Sequence, residues 1–301
     1  MTLEQIGRQL AEIAPTVTTD VPGLGVRVHV AVRPAPPAPV IFEPMLYLVF
    51  QGSKRLLLNT GEIVYGPGDV VTTAVHIPAL AEVLVASAET PYRALEIPFD
   101  QHMVAALIAE LGSLPAASAE VVSVHPLPEP VLDPVLRLLQ LAHDPTGAKI
   151  LAQGVKREIW YRILTGPNGG AFIELTRTNS VLGRVHEVTR WMRQHLDEPL
   201  DAGRVAALAN MSVTSLYRLF KAATGDSPGS YHKQLRLTEG RRRVAERSDT
   251  IQRIAASVGY ASPAQFTRDY RRAFGTAPTA DFPSARAEGH SPSVPRVSSP
   301  A

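Results

Sequence analysis

The chain has no cysteine among its 301 residues. This absence excludes disulfides, thiolate metal sites and cysteine nucleophiles, and it is typical of proteins in a reducing compartment. Metal-ligand patterns are also missing from the strand-rich first third, where His29 and His76 form no His-x-His pair and have no carboxylate at the spacing of a metal site. The sequence therefore predicts no cofactor, no metal site and no enzyme.

Long hydrophobic runs are absent too. The most apolar stretch, IPALAEVLVA, is short and contains Glu82, whereas a membrane-spanning helix needs about 20 apolar residues. The N-terminal stretch MTLEQIGRQLAEIAP carries Glu4, Arg8 and Glu12 and lacks the apolar core of a signal peptide. We expect a cytoplasmic protein without a membrane partner.

The charge is unevenly distributed along the chain, although the net charge is only +2. Residues 1–179 contain 12 Lys and Arg against 17 Asp and Glu, which gives −5. Residues 180–286 contain 17 against 10, which gives +7. A basic C-terminal part favours a polyanionic partner such as nucleic acid, although ordinary surface asymmetry would produce the same numbers.

Residues 20–100 have the pattern of short strands. Apolar or alternating segments such as MLYLVFQG and YRALEIPF are separated by turn residues, including the proline-rich stretch 34–39. This spacing predicts an antiparallel sandwich or barrel, and such a barrel often encloses one small ligand. The candidate ligand contacts are Tyr47, Gln51, Tyr65, Thr72, His76, Tyr92 and Glu96. Each of them has an ordinary alternative, such as a core position for Tyr47 and Tyr65 and a surface or internally hydrogen-bonded position for His76.

From Asp100 onward the pattern is helical. The segments DQHMVAALIAELG, PVLDPVLRLLQLAHD and AKILAQGVKREIWYRILTG each have apolar residues at helical spacing. The apolar stripe along 131–163 predicts either packing on the same subunit or a homodimer surface, and both alternatives stay open. The sequence GPNGG then interrupts the pattern. We place a first domain at residues 1–165 and a linker at residues 166–180.

Residues 181–283 have no convincing strand pattern and predict a second, all-helical domain. The expected helices are 181–196, 202–209, 212–223, 228–247, 250–258 and 262–274, with a short one after Pro278. The tail, 284–301, is rich in Ser and Pro and is expected to be disordered. The predicted fold class is therefore α+β, with an N-terminal antiparallel β-barrel and flanking helices followed by an all-α domain.

The all-helical domain contains a duplicated unit. VAALANMSVTSLYRLFKAATGDSP and IAASVGYASPAQFTRDYRRAFGTAP align at a constant offset of fifty from Ser212 and Ser262 onward. The shared positions are Ser212 and Ser262, Leu216 and Phe266, Arg218 and Arg268, Phe220 and Tyr270, Lys221 and Arg271, Gly225 and Gly275, and Pro228 and Pro278. A serine that suits an N-cap, and a glycine that ends the helix, frame two helix-turn-helix units. A helical bundle for protein contacts is the alternative.

These residues resemble a known family. LANMSVTSLYRLFKAATGDSPGSYHKQLRL and IAASVGYASPAQFTRDYRRAFGTAP look like the DNA-binding domain of AraC/XylS-type bacterial transcription regulators, although Tyr270 and Arg271 occupy that signature's Phe-Lys step. EPMLYLVFQGSKRLLL, YGPGDVVTTAVHIP and ASAETPYRALEI resemble the cupin-type sensing domain of one subgroup. The resemblance covers about residues 20–283. It implies a regulator that binds double-stranded promoter DNA, usually to activate transcription, with RNA polymerase as a further partner.

Helix position separates DNA contacts from packing residues. Leu216, Leu219 and Phe220 form one apolar face, as do Phe266, Tyr270 and Phe274. The outward positions match those through which the family touches bases, and they are Val213, Thr214, Tyr217, Arg218, Pro263, Ala264, Gln265, Thr267 and Arg268. Arginine can pair with guanine and glutamine with adenine. Lys221, Arg271 and Arg272 lie later on their helices and are expected to contact phosphates. Arg241 to Arg243 cannot all face one way, and Glu239 and Glu246 are close enough in sequence to pair with them.

The sequence thus predicts a DNA-binding transcription regulator, an activator gated by a small-molecule effector in the N-terminal barrel. One alternative is a constitutive regulator whose barrel only dimerises. Another is a cupin-type metalloenzyme, against which the histidine spacing argues.

Overall fold

The computed structural model describes residues 2–112, 120–167, 169–177 and 180–281. The predicted disordered tail, 284–301, lies outside the described residues. The described chain consists of a strand-rich N-terminal domain, residues 2–164, and an all-helical C-terminal domain, residues 180–281, joined by one short helix. The predicted α+β class is confirmed.

Within the described residues, the strands form two antiparallel sheets. Their bounds are β1 Thr19–Val21, β2 Val26–Ala31, β3 Ala35–Phe42, β4 Met45–Gln51, β5 Ser53–Leu58, β6 Gly61–Tyr65, β7 Asp69–Thr73, β8 Ile77–Val85, β9 Tyr92–Pro98 and β10 Val122–Pro126. One sheet has the order β1-β2-β9-β4-β7-β10 and the other β3-β8-β5-β6. The predicted barrel is therefore an open, two-sheet arrangement of the cupin-like kind and does not close on itself.

Strand β3 corrects one local prediction. The proline-rich stretch 34–39 was expected to be a turn, but Ala35–Phe42 is a strand that pairs with β8. Proline has no N–H to donate and is tolerated on edge strands. Strand β3 is the edge of its sheet, and its register shifts between Ala35 and Ala38. The prolines thus sit where a missing donor costs little.

The helices before residue 165 are α1 Leu3–Ile13, α2 Gln101–Leu111, α3 Glu129–Gln140 and α4 Pro145–Leu164. Helix α1 buries Ile6 and Leu10, and its end is held by Arg93 of β9, whose guanidinium donates to the Pro15 carbonyl at 2.8 Å. On α3 and α4, most of the apolar stripe along 131–163 is buried, including Val135, Leu139, Ile159 and Ile163. This packing favours the same-subunit alternative for those residues.

The predicted linker, 166–180, contains a packed helix, α5 Gly170–Thr176. Phe172 is fully buried, with its ring 4.8 Å from Trp160 and 5.4 Å from Phe99. The linker prediction was wrong for this part of the segment. A helix of two turns that starts at glycine is too short to give a recognisable period, so only its aromatic contacts reveal it.

The C-terminal helices follow the predicted order. They are α6 Val181–Gln194, α7 Ala202–Leu208, α8 Val213–Thr224, α9 Pro228–Ala245, α10 Ile251–Ser257, α11 Pro263–Phe274 and α12 Pro278–Asp281. Helices α8 and α11 end at Gly225 and Gly275, which adopt φ +80° and +75°. This left-handed conformation favours glycine. Among the described helices, none has the length and apolarity needed to span a bilayer.

The two domains are in contact. Helix α9 packs against β3 and β8, and the hydrophobic core runs continuously from the N-terminal sheets to Leu216 and Phe220 of α8. The turn between β5 and β6 approaches the end of α8 so closely that a Cβ at Gly225 would lie 2.9 Å from Thr60 Cγ2. The first helix-turn-helix unit is therefore packed directly on the N-terminal domain.

Candidate nucleic-acid interface and ligand-binding residues

Helix α8 is held by its inner face and exposes its outer one. Ser212 caps it by accepting a hydrogen bond from the Ser215 backbone N–H at 3.2 Å. Leu216 and Phe220 are fully buried. All four outward residues that the sequence predicted as base contacts lie on the outer face, with Val213, Thr214 and Arg218 exposed and Tyr217 45% exposed. Lys221, one turn further on, is exposed as well.

Helix α11 has the same construction. Phe266 and Tyr270 are fully buried, and ring contacts of 5.3, 5.5 and 4.7 Å join Tyr260, Phe266, Tyr270 and Phe274 in turn. The exposed residues are Pro263, Ala264, Gln265, Arg268, Arg271 and Arg272. Thr267 is half-buried, and its hydroxyl donates to the Pro263 carbonyl at 2.9 Å. Its methyl group is thus better placed than its hydroxyl for an outside contact.

The cations on these two faces have no partner within the described parts of the chain. Arg218, Lys221, Arg268, Arg271 and Arg272 make no ion pair and no side-chain hydrogen bond there. Three of them, Arg268, Arg271 and Arg272, share one concave surface with Pro263, Ala264 and Thr267. Unpaired cations on an exposed helix face are suited to an anionic partner.

The arginine run on α9 is used inside the protein instead. Glu239 is 2% exposed and accepts from Arg242 at 2.6 Å and Arg243 at 2.8 Å. Burial raises the pKa of Glu239, but the hydrogen bonds from Arg242 and Arg243 and the nearby Arg193 outweigh it and hold that pKa below its usual value. Arg241 pairs with Asp281 at 2.9 Å. The expected pairing with Glu239 is therefore found, and Arg242 also pairs with Glu246 at 2.7 Å.

Arg236 of α9 is a residue that the sequence pattern did not single out. Its guanidinium donates to the Gly259 carbonyl at 3.3 Å and also to the Glu198 carbonyl. Gly259 lies in the turn of the second unit, and Glu198 precedes the first unit. Gly259 adopts φ +79°, and a Cβ there would lie 2.6 Å from both Arg236 Nη2 and the Leu196 carbonyl. One side chain thus connects the turn of the second unit to the loop that leads into the first.

Between the two sheets, four of the predicted ligand contacts come together: Tyr47, Tyr65, Tyr92 and Glu96. Tyr47, Tyr65 and Tyr92 are buried, with the first two rings 6.2 Å apart. Lys54, which the sequence did not single out, donates to the Tyr47 hydroxyl at 3.2 Å and lies 4.3 Å from the centre of the Tyr92 ring. Burial lowers the pKa of Lys54 to about 8. Glu96 stands opposite Tyr47 across β4 and β9, and its carboxylate is 2.6 Å from His29 Nε2.

The other predicted ligand contacts lie elsewhere. Thr72 follows Val71, which pairs with Tyr47, so Thr72 points to the opposite face of the sheet, where its hydroxyl is 2.7 Å from that of Ser123. Gln51 stands opposite Arg93, beyond a register shift. His76 stacks on His186 of α6, with ring centres 6.0 Å apart.

The stacked histidines belong to the contact between domains. Burial, followed by the charges of His186, Arg193 and Arg190, lowers the pKa of His76 to about 3. Burial is also the largest cause that lowers the pKa of His186, to about 4. Both rings are therefore neutral at pH 7. Nowhere in the described residues, at these histidines or elsewhere, are three His, Asp or Glu side chains grouped closely enough to hold a metal ion.

Two family models match this chain. The model described as the AraC-type transcriptional regulator N-terminus matches residues 22–171, and a helix-turn-helix domain model matches residues 205–282. The chain belongs to the AraC/XylS family of transcription regulators. The first model covers β2–β10 and α2–α4, and the second covers both helix-turn-helix units.

Relatives of this AraC/XylS-family chain are named as regulators. The HTH-type transcriptional activator RhaS of Pectobacterium carotovorum is 32% identical over 94 residues, which is 31% of this chain and 34% of RhaS. The regulator ArgR of Pseudomonas aeruginosa is 31% identical over 152 residues, covering 50% of this chain and 45% of ArgR. The match thus spans about a third of RhaS and under half of ArgR.

The fold as a whole is also found in a solved structure. ToxT from Vibrio cholerae aligns with a TM-score of 0.58 and 10% identity, over 85% of this chain and 97% of ToxT. At this identity the match concerns the fold alone. It covers both domains.

Proposed function

We propose that this chain is a sequence-specific DNA-binding transcription regulator that contacts double-stranded promoter DNA through α8 and α11. The observation that carries the proposal is the repeated pair of exposed helix faces. Each face presents an N-terminal arginine, Arg218 or Arg268, and a later cation, Lys221 or Arg271, that has no partner in the described chain.

Position along each helix assigns the roles. The first turns enter the major groove in helix-turn-helix proteins, so Arg218 and Arg268 would each take two acceptors of a guanine, and Gln265 would pair with an adenine. Val213, Thr214, Tyr217, Pro263, Ala264 and the Thr267 methyl supply apolar contacts, for instance to thymine methyls. Lys221, Arg271 and Arg272 would contact phosphates, which position the protein.

The distance between the exposed faces of α8 and α11 is compatible with binding to one side of a DNA duplex. Helix α9 connects the units over 18 residues, which corresponds to about 27 Å at about 1.5 Å per residue. Successive major-groove segments recur about every 34 Å on one side of DNA. A single chain would therefore occupy two neighbouring groove segments.

We further propose that a small molecule controls this activity through the N-terminal domain. The contact between the β5–β6 turn and Gly225 gives a direct route from that domain to α8. The name of RhaS, a transcriptional activator, favours activation, for which contact with RNA polymerase would be needed. Two places are suited to the effector: the cluster of Tyr47, Tyr65, Tyr92, Glu96 and Lys54, and the space between the domains.

A constitutive regulator whose N-terminal domain only dimerises is the second candidate. Ile150 and Leu151 on α4 are 73% and 53% exposed, and Tyr161 on the same helix is 42% exposed. Apolar side chains on one exposed helix are suited to a second copy of the chain. Sedimentation would test this candidate: wild type should be a dimer and Ile150→Asp a monomer. Leu136→Asp changes a half-buried residue of the same apolar stripe and is the second variant.

Selection from a pool of randomised duplexes tests the main proposal. We expect the full chain to enrich a site of two half-motifs about one helical turn apart, and to bind it in a mobility-shift titration far more tightly than a scrambled duplex. Enrichment of no motif, or equal affinity for both duplexes, would refute sequence-specific DNA binding.

A further inference from the structure

A cleft lies between the N-terminal domain and the first helix-turn-helix unit, beside the contact that joins them. Its volume is about 520 Å³, which is within the range of sites for small organic ligands. Four parts of the chain form its walls: the β5–β6 region with Ile63, the adjoining ends of β8 and β10 with Ile77 and Val122, the α5–α6 region with Leu182, and the α8–α9 region with Leu219 and Tyr231. Anything bound there would contact both domains.

The polar side of this cleft is acidic. Glu120, Glu174 and Asp226 line it, and no lysine, arginine or histidine of the described chain does. Glu174 is already paired with Arg177 at 2.5 Å. Among the described residues, Asp226 accepts side-chain hydrogen bonds only from two amides, those of Asn59 and of Gln234, the latter at 3.2 Å. In the described part of the chain, neither Asp226 nor Glu120 has a cationic partner.

Tyr231 is a further polar residue at this cleft. It lines the cleft and is only 2% exposed, and its buried hydroxyl oxygen has no hydrogen-bond partner among the described residues. Buried hydroxyls without partners are uncommon because they lose the hydrogen bonds that water would give. Burial, followed by the charge of Asp226, raises the pKa of Tyr231, so its O–H stays protonated.

We propose that this cleft binds a small organic cation with an apolar body, such as an alkyl or aryl amine. Leu219, Ile63 and Leu182 would cover the hydrocarbon, and Asp226 and Glu120 would face the ammonium group. The Tyr231 ring, which lines the cleft, would cover a further part of the hydrocarbon. An anionic ligand is disfavoured, because it would face Asp226 and Glu120, two carboxylates that have no cationic partner in the described part of the chain.

This cation is the effector class for the regulator proposed above, and to that extent the inference rests on the proposed function. The ligand would bridge the β5–β6 turn and the end of α8, and would therefore stabilise the contact that orients α8 relative to the N-terminal domain. Binding itself needs no DNA, so it is measured separately.

Thermal unfolding and calorimetry of the full chain test the proposal with matched probes. The cations are 2-phenylethylamine and cyclohexylmethylamine, the neutral analogues are 2-phenylethanol and cyclohexylmethanol, and the anions are phenylacetate and cyclohexanecarboxylate. We expect saturable binding and a raised melting temperature with an amine, and weaker or no binding with its alcohol and carboxylate. Binding of the carboxylates as tight as that of the amines, or binding of neither amine, would overturn the proposal.

Variants locate the site. Asp226→Asn should weaken amine binding about tenfold, as expected for loss of a charged contact, and Leu219→Trp should abolish it by filling the cleft. Glu120→Gln removes the other carboxylate that has no cationic partner, and its exposed position means that the change should not disturb the core. Asp133→Asn is the control, since Asp133 lies on α3 and pairs with Arg137. Unchanged affinity in all three cleft variants would overturn the assignment.

Failure of this test and failure of the proposed function are distinguishable. If duplex selection succeeds and no amine binds, the chain is a DNA-binding regulator without this ligand class. If an amine binds and selection fails, the cleft is a ligand site and the regulator proposal is wrong.

Discussion

The two helix-turn-helix units have matching sequences and different surroundings. Leu216 and Phe220 of the first unit belong to the hydrophobic core that extends through the N-terminal domain. The second unit has a separate core around Leu237, Ile254, Phe266 and Tyr270. The duplication therefore produced one unit that the N-terminal domain can influence by direct contact and one that depends on its own packing.

Their outer faces differ as well. The first presents the apolar side chains Val213 and Tyr217, which are 44% and 45% exposed. The second presents Arg268, Arg271 and Arg272 together. We expect the first unit to gain more from apolar contacts to bases and the second to depend more on charge.

The largest effect is expected from Phe266→Ala in the second unit. Phe266 is fully buried and lies so close to α9 that a Cβ at Gly240 would be 2.8 Å from its ring. Removing a buried phenylalanine costs about 3–5 kcal/mol. Hydrogen exchange should show loss of protection in α10 and α11, with α8 still protected. Equal loss in both units would contradict separate cores, and Phe220→Ala is the matched variant.

Arg236→Met should weaken the connection between the turn of the second unit and the loop that leads into the first. It removes hydrogen bonds to the Gly259 and Glu198 carbonyls, each worth about 1.5–3 kcal/mol when the donor is charged. Duplex selection with this variant should enrich both half-motifs at variable spacing, whereas wild type enriches one spacing. A single spacing in both proteins would show that α9 alone sets the separation. Arg253→Met, a loosely paired surface arginine, is the control.

Arg268→Ala should weaken binding to the selected site by about 1–3 kcal/mol and relax the preference at one base position. Arg218→Ala is the matched change in the first unit and should relax a position in the other half-motif. Mobility-shift titrations with single-base variants of the site measure both. Equal affinity of Arg268→Ala and wild type for the selected site would refute base contact by Arg268.

Acidification should loosen the contact between the domains, and the second unit should be less affected. The lowered pKa values of His76 and His186, about 3 and 4, mean that the folded state binds fewer protons than the unfolded state below pH 6.5. Stability is thus complete above that pH and falls as pH decreases towards 4, by about 1–2 kcal/mol per histidine at pH 5. His76→Gln should reduce the pH slope of thermal unfolding between pH 7 and 5. An unchanged slope would mean that burial does not lower the pKa of His76 in the folded protein.

The smallest effect is expected from Arg271→Ala. Loss of one phosphate contact should weaken binding to selected and scrambled duplexes alike and reduce the salt slope by about one. Titrations at several salt concentrations measure this. A loss confined to the selected site would instead place Arg271 among the base contacts.

The helical domain was predictable because its signals are local. Ser212 and Ser262 cap their helices and Gly225 and Gly275 end them, so the predicted spans of α8 and α11 lie close to the observed ones. Strand faces were not predictable to the same degree. Residues Met45 to Phe50 of β4 are all buried, and a strand buried on both sides gives no alternation to separate inner from outer residues. This is why Thr72 was grouped with Tyr47 although the two point in opposite directions.

By itself, the sequence determined the two helix-turn-helix units, their exposed cations and the strand-rich class of the N-terminal part. Each of these depends on residues within one helix or one strand and its turns. Only the tertiary structure decided that Arg236 connects the second unit to the loop before the first, that Lys54 lies among the tyrosines, and that the acidic cleft lies between the domains. These features join residues far apart in the chain, and their contacts depend on strand order and domain packing, which no local pattern encodes.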